Sequence, residues 1–365
     1  MRLSRRAREA AWSYLFLAPF LFTLGVFFLY AFLRTLYFSF TEYDLFAVPR
    51  WIGLENYRQL FGERLFLTAL RNTILYSVVV TLSQTVLALA LAVALNQKLR
   101  GLTFFRSLYY MPSITSSVVI TLIFMWLFQR GGAINYLITV ARQHGRTVLV
   151  FVALVAAAQF IQVVWERRRG LPARPLDPAL LVVSLLVGLA GTWLLSTWVY
   201  QPAEGVAAQQ INWLNTRRRW PAAWGAPIPL IAIMMLNIWT TAPTFMLLFL
   251  AGLQDVPREL YEAAAVDGAT RWVAFTQVTL PHLQPVIFLV VTLGLIGTLQ
   301  MFDQVAILGD QAPLESVITL AYYVYHWVFP GGAMPRVGLA AAGAVFLAIL
   351  TLIVVLIQRW VLRAQ

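Results

Sequence analysis

The side chains able to do chemistry in this chain are few, and they are scattered. There are three histidines, His144, His282 and His326, and no two share the i, i+4 spacing of a metal-ligand pair. Cysteine is absent, which removes disulfides, thiolate metal sites and cysteine nucleophiles. Lys98 is the only lysine, and no G-x-x-x-x-G-K-[ST] loop surrounds it, so the chain has no phosphate cradle of that type. Seven of the fifteen acidic residues fall between Asp255 and Glu315, where they are spread out rather than clustered for a metal or a nucleophile–base pair. The sequence therefore expects no catalytic residue and no bound metal.

The rest of the composition points to a non-aqueous solvent. The chain is 365 residues long and 60% hydrophobic but only 12% charged, with a mean hydropathy of +0.74. A soluble domain carries about 25% charge. The net charge of +12 sits in short arginine clusters, such as Arg2, Arg5, Arg6 and Arg8 or Arg167 to Arg169, between apolar runs. Such clusters flank membrane spans on their cytoplasmic side; a nucleic-acid stripe would be continuous.

A bilayer crossing needs about 20 apolar residues, and inside it every amide must be paired, so each long run reads as a helix. Eight runs qualify: 12–36, 69–95, 106–128, 147–165, 179–200, 227–251, 284–308 and 338–360. The fourth is interrupted by Gln159 and Gln162. The first is too long for a signal peptide and lacks a small-residue cleavage pattern, so it reads as an uncleaved span. Arg2 to Arg8, then Lys98, Arg100 and Arg106, then Arg167 to Arg174, then Arg359 and Arg363 place both termini inside; Arg142 with Arg146, and Arg217 to Arg219, dissent.

That topology puts residues 252–283 in the cytoplasm. Pro257 suits a helix start and Gly268 a helix stop. A short helix rich in small residues lies between them, and a second, with Trp272 and Phe275, runs to Pro281. Small side chains admit another protein close to the backbone, and aromatic anchors can fill its pockets, so the segment reads as a docking surface.

Its motif resembles the EAA loop of binding-protein-dependent ABC importer permeases: Glu262-Ala263-Ala264, Asp267-Gly268-Ala269, then Phe275, Val278, Leu280 and Pro281. Gly53-Leu54-Glu55-Asn56-Tyr57, Asn72-Thr73, Phe105-Arg106, Met111-Pro112, Gly132, Asn135, Asn212-Trp213-Leu214, Ala251-Gly252-Leu253-Gln254, Tyr325, Phe329, Gly338 and Ala340 are similar to the sugar permeases of the maltose and glycerol-3-phosphate type. The resemblance covers about four-fifths of the chain and lapses between Tyr136 and Ile211, where a helical hairpin is inserted.

The resemblance implies an all-α integral membrane protein in which a six-helix core plus that hairpin make about eight spans. Its divisions are 1–68, 69–135, 136–211 and 212–365, with the EAA loop at 252–283. It implies a place in the bacterial or archaeal inner membrane beside a second homologous permease subunit, two ABC ATPase subunits and an extracytoplasmic solute-binding protein. ATP and magnesium would be bound on the ATPases and no cofactor on this chain; lipid is expected as a partner and nucleic acid is not. Glu262, Ala263, Ala264, Asp267, Gly268, Phe275 and Pro281 would couple to the ATPase. Polar residues within spans tend to face a pathway, which nominates Asn237, Thr240 and Thr241 in one span and Thr298, Gln300, Asp303 and Gln304 in the next, with Trp239 and Phe302 to stack a sugar ring. Similar permeases place sugar contacts near Asn237 and Thr298. Hydroxyls and amides in membranes also bond helix to helix, and that reading stays open. A membrane-embedded lipid-linked sugar transferase and an ion-coupled transporter are the rival functions; clustered acids and inverted repeats would be their marks.

Overall fold

The computed structural model describes residues 5–96, 102–169, 178–198, 210–221 and 225–363. Arg2, Lys98, Arg100 and Arg174, used above for orientation, lie outside them. Two compact units result, Met1–Phe124 with Leu214–Gln365, and Met125–Trp213. Helix dominates, and the strands among the described residues are two short antiparallel ribbons: β1 (Thr41–Glu42) with β2 (Arg50–Trp51), and β3 (Arg219–Trp220) with β4 (Ala226–Pro227).

The larger unit is built on long apolar helices. α1 (Trp12–Phe38) is largely apolar, with Arg34 near its end, and contributes nothing buried to the unit, the state expected of a helix solvated by lipid chains. α2 (Glu55–Gly62) lies in the loop that follows, and α3 (Arg64–Leu95) then runs for 32 residues. α3 packs along α8 (Ile228–Gln254) and α11 (Gln284–Leu299), while α15 (Val337–Arg363) packs on α11. Where α3 meets α8 and α11, small residues bring the backbones together and large ones fill the space: Ala88, Ala92, Ala242, Met246, Phe249 and Leu283 form one buried cluster.

The apolar run 106–128, read as one continuous span, is broken. α4 (Leu102–Ile114) and α5 (Ser117–Leu127) are separate helices, and Ser107–Ile114 meets Ser117–Leu127 at 104°. Pro112 has no amide to donate, and the hydroxyls of Ser113 and Thr115 turn back onto the carbonyls of Tyr110 and Met111. Such back-bonding bends helices. Among the described residues there are thus seven helices long and apolar enough to cross a membrane, or eight if the bent pair is one span.

The smaller unit centres on a hairpin of α6 (Ala133–Arg168) and α7 (Pro178–Trp198). At 36 residues α6 is about 54 Å long, well beyond a hydrocarbon core of about 30 Å. The span expected at 147–165 is only its apolar half; the helix begins at Ala133 and carries Arg142, His144 and Arg146 first. Gln159 and Gln162 are no obstacle to burial in lipid, because Ser184 of α7 accepts from Gln162 Nε2 at 3.0 Å and donates to Gln159 Oε1 at 2.6 Å. Gly191 faces Leu154 across the hairpin, the close approach that small residues permit.

Polar clasps gather at one end of the larger unit. Asn56 Nδ2 donates to the carbonyls of Ser39 and Thr41, and Arg336 Nη2 donates to Gln59. Asn72 Nδ2 donates to the carbonyls of Glu315 and Ile318, and Thr73 Oγ1 accepts from the amide of Leu320. The Ala88–Leu95 end of α3 instead packs on Leu250, Leu253 and Leu283. Residues 252–283 therefore sit at the opposite end of the unit from the loops at 39–63 and 312–338.

Candidate functional site

Residues 257–281 form an exposed pair of short arms braced by hydrogen bonds. α9 (Arg258–Val266) starts after Pro257 and stops in a hydrogen-bonded reversal. Ala269 N donates to Ala264 O at 2.9 Å, Asp267 N to Ala263 O and Gly268 N to Ala265 O, with Gly268 at φ +75°. The bond that closes over the last turn, with its left-handed residue, requires glycine or bears a strain. Asp267 is the last residue before that turn and is exposed. α10 (Arg271–Ala274) follows at once, its start capped by Thr270 Oγ1 accepting from Val273 N, and a π-helical turn, Phe275–Thr279, extends it. The Tyr261 and Thr279 hydroxyls share a 2.8 Å hydrogen bond that ties the two arms together.

The outer surface of these arms is bare. Glu262 is exposed and makes no ion pair among the described residues, so the possibility that it pairs along its own helix is not realised. Ala263 is exposed and Ala264 half-buried; Pro281 is exposed. Val266 is 87% exposed and Trp272 71% exposed, with the Phe275 ring 5.8 Å from the indole. Two large apolar side chains this open thus stand beside a bare carboxylate and alanines.

The root of this segment leaves no slack. A Cβ on Gly252 in α8 would stand 2.7 Å from Val286 Cγ2 and 2.9 Å from Leu283 Cδ2. α8 and the start of α11, the two helices between which the segment hangs, are in direct contact there.

Those helices also carry the intramembrane polar residues, and α3 joins them. Thr241 Oγ1 donates to Gln84 Oε1 at 2.6 Å. The Thr298 hydroxyl lies 2.9 Å from Ser77 Oγ and 3.1 Å from Thr81 Oγ1, and Thr298 is only 3% exposed. Asn237 is half-buried one turn before Thr241, and its carbonyl accepts from the Thr240 and Thr241 hydroxyls. Tyr76 Oη, next along α3, is buried and faces the Asn237 side chain. Gln300 and Asp303 do not join this cluster: both are exposed, beyond the end of α11 and at the start of α12 (Asp303–Leu308). Trp239 is exposed and packs on Phe124, ring centroids 5.6 Å apart.

Sequence reading passed over Ser77, Thr81 and Gln84. A signal was present, since positions i, i+4 and i+7 put all three on one face of a helix that is otherwise apolar.

Asn135 and Asn56, both picked out in the sequence, hold structure together with polar neighbours that were not. In the smaller unit Asn135 Nδ2 donates to the carbonyls of Gln129, Arg130 and Ile211, while its Oδ1 accepts from Ile211 N and Trp213 Nε1. In the larger unit the first-loop residues Glu42, Asp44, Arg50 and Asn56 line, with Gln59 and Arg336, a cavity of about 660 Å³. The amides of Ala47 and Phe46 donate to the Asp44 carboxylate, which lowers its pKa from the usual value.

The chain belongs to the family of binding-protein-dependent transport system inner membrane components, whose model matches residues 84–365. It is thus a multi-pass membrane permease, a transport component and not an enzyme. The lactose transport system permease protein LacF of Rhizobium radiobacter is 27% identical, over 97% of this chain and 94% of the relative. The multiple sugar-binding transport system permease protein MsmF of Streptococcus mutans is 28% identical, over 97% and 96%. Among solved structures, a bacterial ABC transporter involved in import of the acidic polysaccharide alginate shares the fold with a TM-score of 0.68 at 20% identity, over 100% of this chain and 99% of that one.

Proposed function

We propose that this chain is the permease subunit of an ATP-driven ABC importer for a carbohydrate, and that residues 252–283 are the handle by which separate ATPase subunits move it. The observation that carries this reading is the handle's construction: a braced, exposed pair of short helices rooted without slack on the two helices that hold Thr241 and Thr298. A rigid handle transmits displacement, where a soft loop would absorb it. Nucleotide-driven closure of the ATPases would then shift α8 and α11 against α3, a switch between two packed arrangements.

In this reading Glu262 contacts the ATPase groove, Ala263 and Ala264 allow close approach, Asp267 and Gly268 make the turn, and Phe275 and Pro281 shape the second arm. Asn237, Thr241 and Thr298 belong to the pathway wall in one of its states, while Gln300 and Asp303 lie where solute would arrive. The sugar reading is supported by the names of relatives spanning nearly the whole chain, lactose and multiple-sugar permeases among them. An alginate importer of the same fold has been solved with a periplasmic protein that carries an alginate pentasaccharide, which supports a solute-binding partner here. A second permease, two ATPases holding ATP and magnesium, an inner-membrane location and cytoplasmic termini complete the proposal. Residues 136–211 are then an insertion in the sequence of a six-helix core.

Reconstitution of the assembled transporter in vesicles tests it. Glu262→Lys is expected to leave the subunit inserted and the assembly's ATP hydrolysis measurable, while ATP-dependent sugar uptake falls at least tenfold. Unchanged uptake in that variant would refute the handle.

A further inference from the structure

Between the end of α11 and the start of α15 the chain carries a run of aromatic rings that the polar cluster does not use. Ring centroids are 5.2 Å apart for Phe302 and Tyr325, 6.1 Å for Phe302 and Tyr322, 5.8 Å for Tyr322 and Tyr325, and 5.1 Å for Tyr325 and Phe329. Three of the four stand on or just past the helix Leu320–Val328, at spacings of three and four residues, so they share one face. The opposite face packs inward: Tyr323 is fully buried and donates its hydroxyl to Glu63. Burial and that carboxylate hold the Tyr323 hydroxyl protonated well above the ordinary range.

The rings are held in place, and they grade from covered to open. Thr319 Oγ1 donates to Met301 O at 2.7 Å and accepts from Tyr322 N at 3.3 Å. One hydroxyl thereby fixes the backbone next to Phe302 against the backbone of Tyr322. Phe302 and Tyr322 are half-buried, Tyr325 is 42% exposed and Phe329 is 62% exposed. The covered end adjoins the end of α11, four residues beyond Thr298.

What surrounds the rings identifies the occupant. Here Gln300 and Asp303 flank Phe302 in sequence and are exposed, and exposed Asp310 is close enough to act on the Tyr322 hydroxyl, whose pKa is raised by burial, then by Tyr325 and Asp310. Aromatic faces are electron-rich, and a sugar ring offers them a face of polarised C–H bonds. Its hydroxyls in turn need acceptors such as carboxylates and amides. The two open rings, Tyr325 and Phe329, lie 5.1 Å apart and suit two linked sugar units, and the two carboxylates disfavour a polyanion.

The geometry points to a track for a neutral oligosaccharide, entered at Phe329 and running past Tyr325, which touches both Tyr322 and Phe302, to the paired rings of those two residues at the end of α11. This deepens the carbohydrate reading above and rests on it: the cargo is a chain of linked neutral sugars, whereas a single sugar unit would not need the track.

Uptake by the assembled transporter in vesicles tests the assignment, with malto- and cello-oligosaccharides of increasing length as probes and an alginate oligosaccharide as the charged control. Wild type is expected to import one neutral series with a KM that falls as the chain lengthens. Tyr325→Ala is expected to raise KM for the longer chains about three- to tenfold, with kcat unchanged and the shortest probe unaffected. Tyr325→Phe retains the ring and is expected to behave as wild type, which separates recognition from loss of folding. Length-independent uptake, preference for the charged chain, or wild-type KM values in Tyr325→Ala would each overturn the track while leaving a carbohydrate importer intact. The track is equally overturned if Tyr325→Ala separates the permease pair on a native gel while uptake per intact assembly is unchanged, because the face is then a protein interface. Failure of every sugar probe in wild type would sink the carbohydrate reading itself, and the track with it.

Discussion

Gly294 of α11 faces Gln84 of α3 so closely that a Cβ on the glycine would lie 2.6 Å from the glutamine's Nε2. The same glutamine accepts the Thr241 hydroxyl, so one missing side chain lets three helices meet around a buried amide. Gly294→Ala is expected to displace Gln84, break its bond to Thr241 and cost about 1–3 kcal/mol. Thermal unfolding of the detergent-solubilised chain checks this. A transition equal to wild type would mean that the amide has room to move, and that the contact does not constrain the helices.

The handle's reversal at Gly268 makes a second prediction. Its φ of +75° is comfortable only for glycine. Gly268→Ala is expected to strain the turn by about 1 kcal/mol and lower ATP-dependent uptake several-fold, while Gly268→Pro also removes the amide that donates to Ala265 O and abolishes uptake. Membrane insertion, read by protease accessibility, is expected to be normal in both. Equal uptake for the alanine and proline variants would show that the geometry of the turn is irrelevant to coupling.

Asn135 makes a structural prediction. Its side chain donates to three carbonyls and accepts from two further groups. Asn135→Ala strands those backbone groups and is expected to cost about 2–3 kcal/mol. Limited proteolysis should show new cutting near Ile211, and Asn135→Asp, which keeps only the acceptor, should be cut to an intermediate degree. Protection equal to wild type in Asn135→Ala would rule out the clasp.

The hairpin makes a fourth prediction. Ser184→Val removes the shared partner of Gln159 and Gln162 inside the membrane, at a cost of about 0.6–2 kcal/mol. If the insertion at 136–211 takes no part in transport, uptake should be unchanged while cross-linking between cysteines placed at 154 and 191 weakens. Loss of transport would place the hairpin in the working mechanism.

Much of this was legible from residue patterns, for identifiable reasons. Long apolar runs without charge have one stable state in lipid, and Pro257 and Gly268 mark helix ends by backbone geometry alone. The break after Pro112 was not legible, because proline is tolerated in many membrane helices and the hydroxyls that complete the bend act only once the chain is helical. The cluster at Ser77, Thr81 and Gln84 was masked by its setting. Each residue is a modest polar interruption in an apolar stretch, and its meaning depends on which side of α3 meets α8 and α11. Thr298 was singled out for its polarity, yet its partners lie on a helix more than two hundred positions away in the chain.

The grip of Asn72 and Thr73 on the backbone at Ile318 and Leu320 has one more consequence. Because that backbone is stitched to α3 near its first turns, the short helix bearing Tyr322 and Tyr325 is not free to flap like a lid. In the proposed mechanism, a displacement applied at residues 252–283 would reach that helix through α3, so both ends of the unit would move as one stiff part.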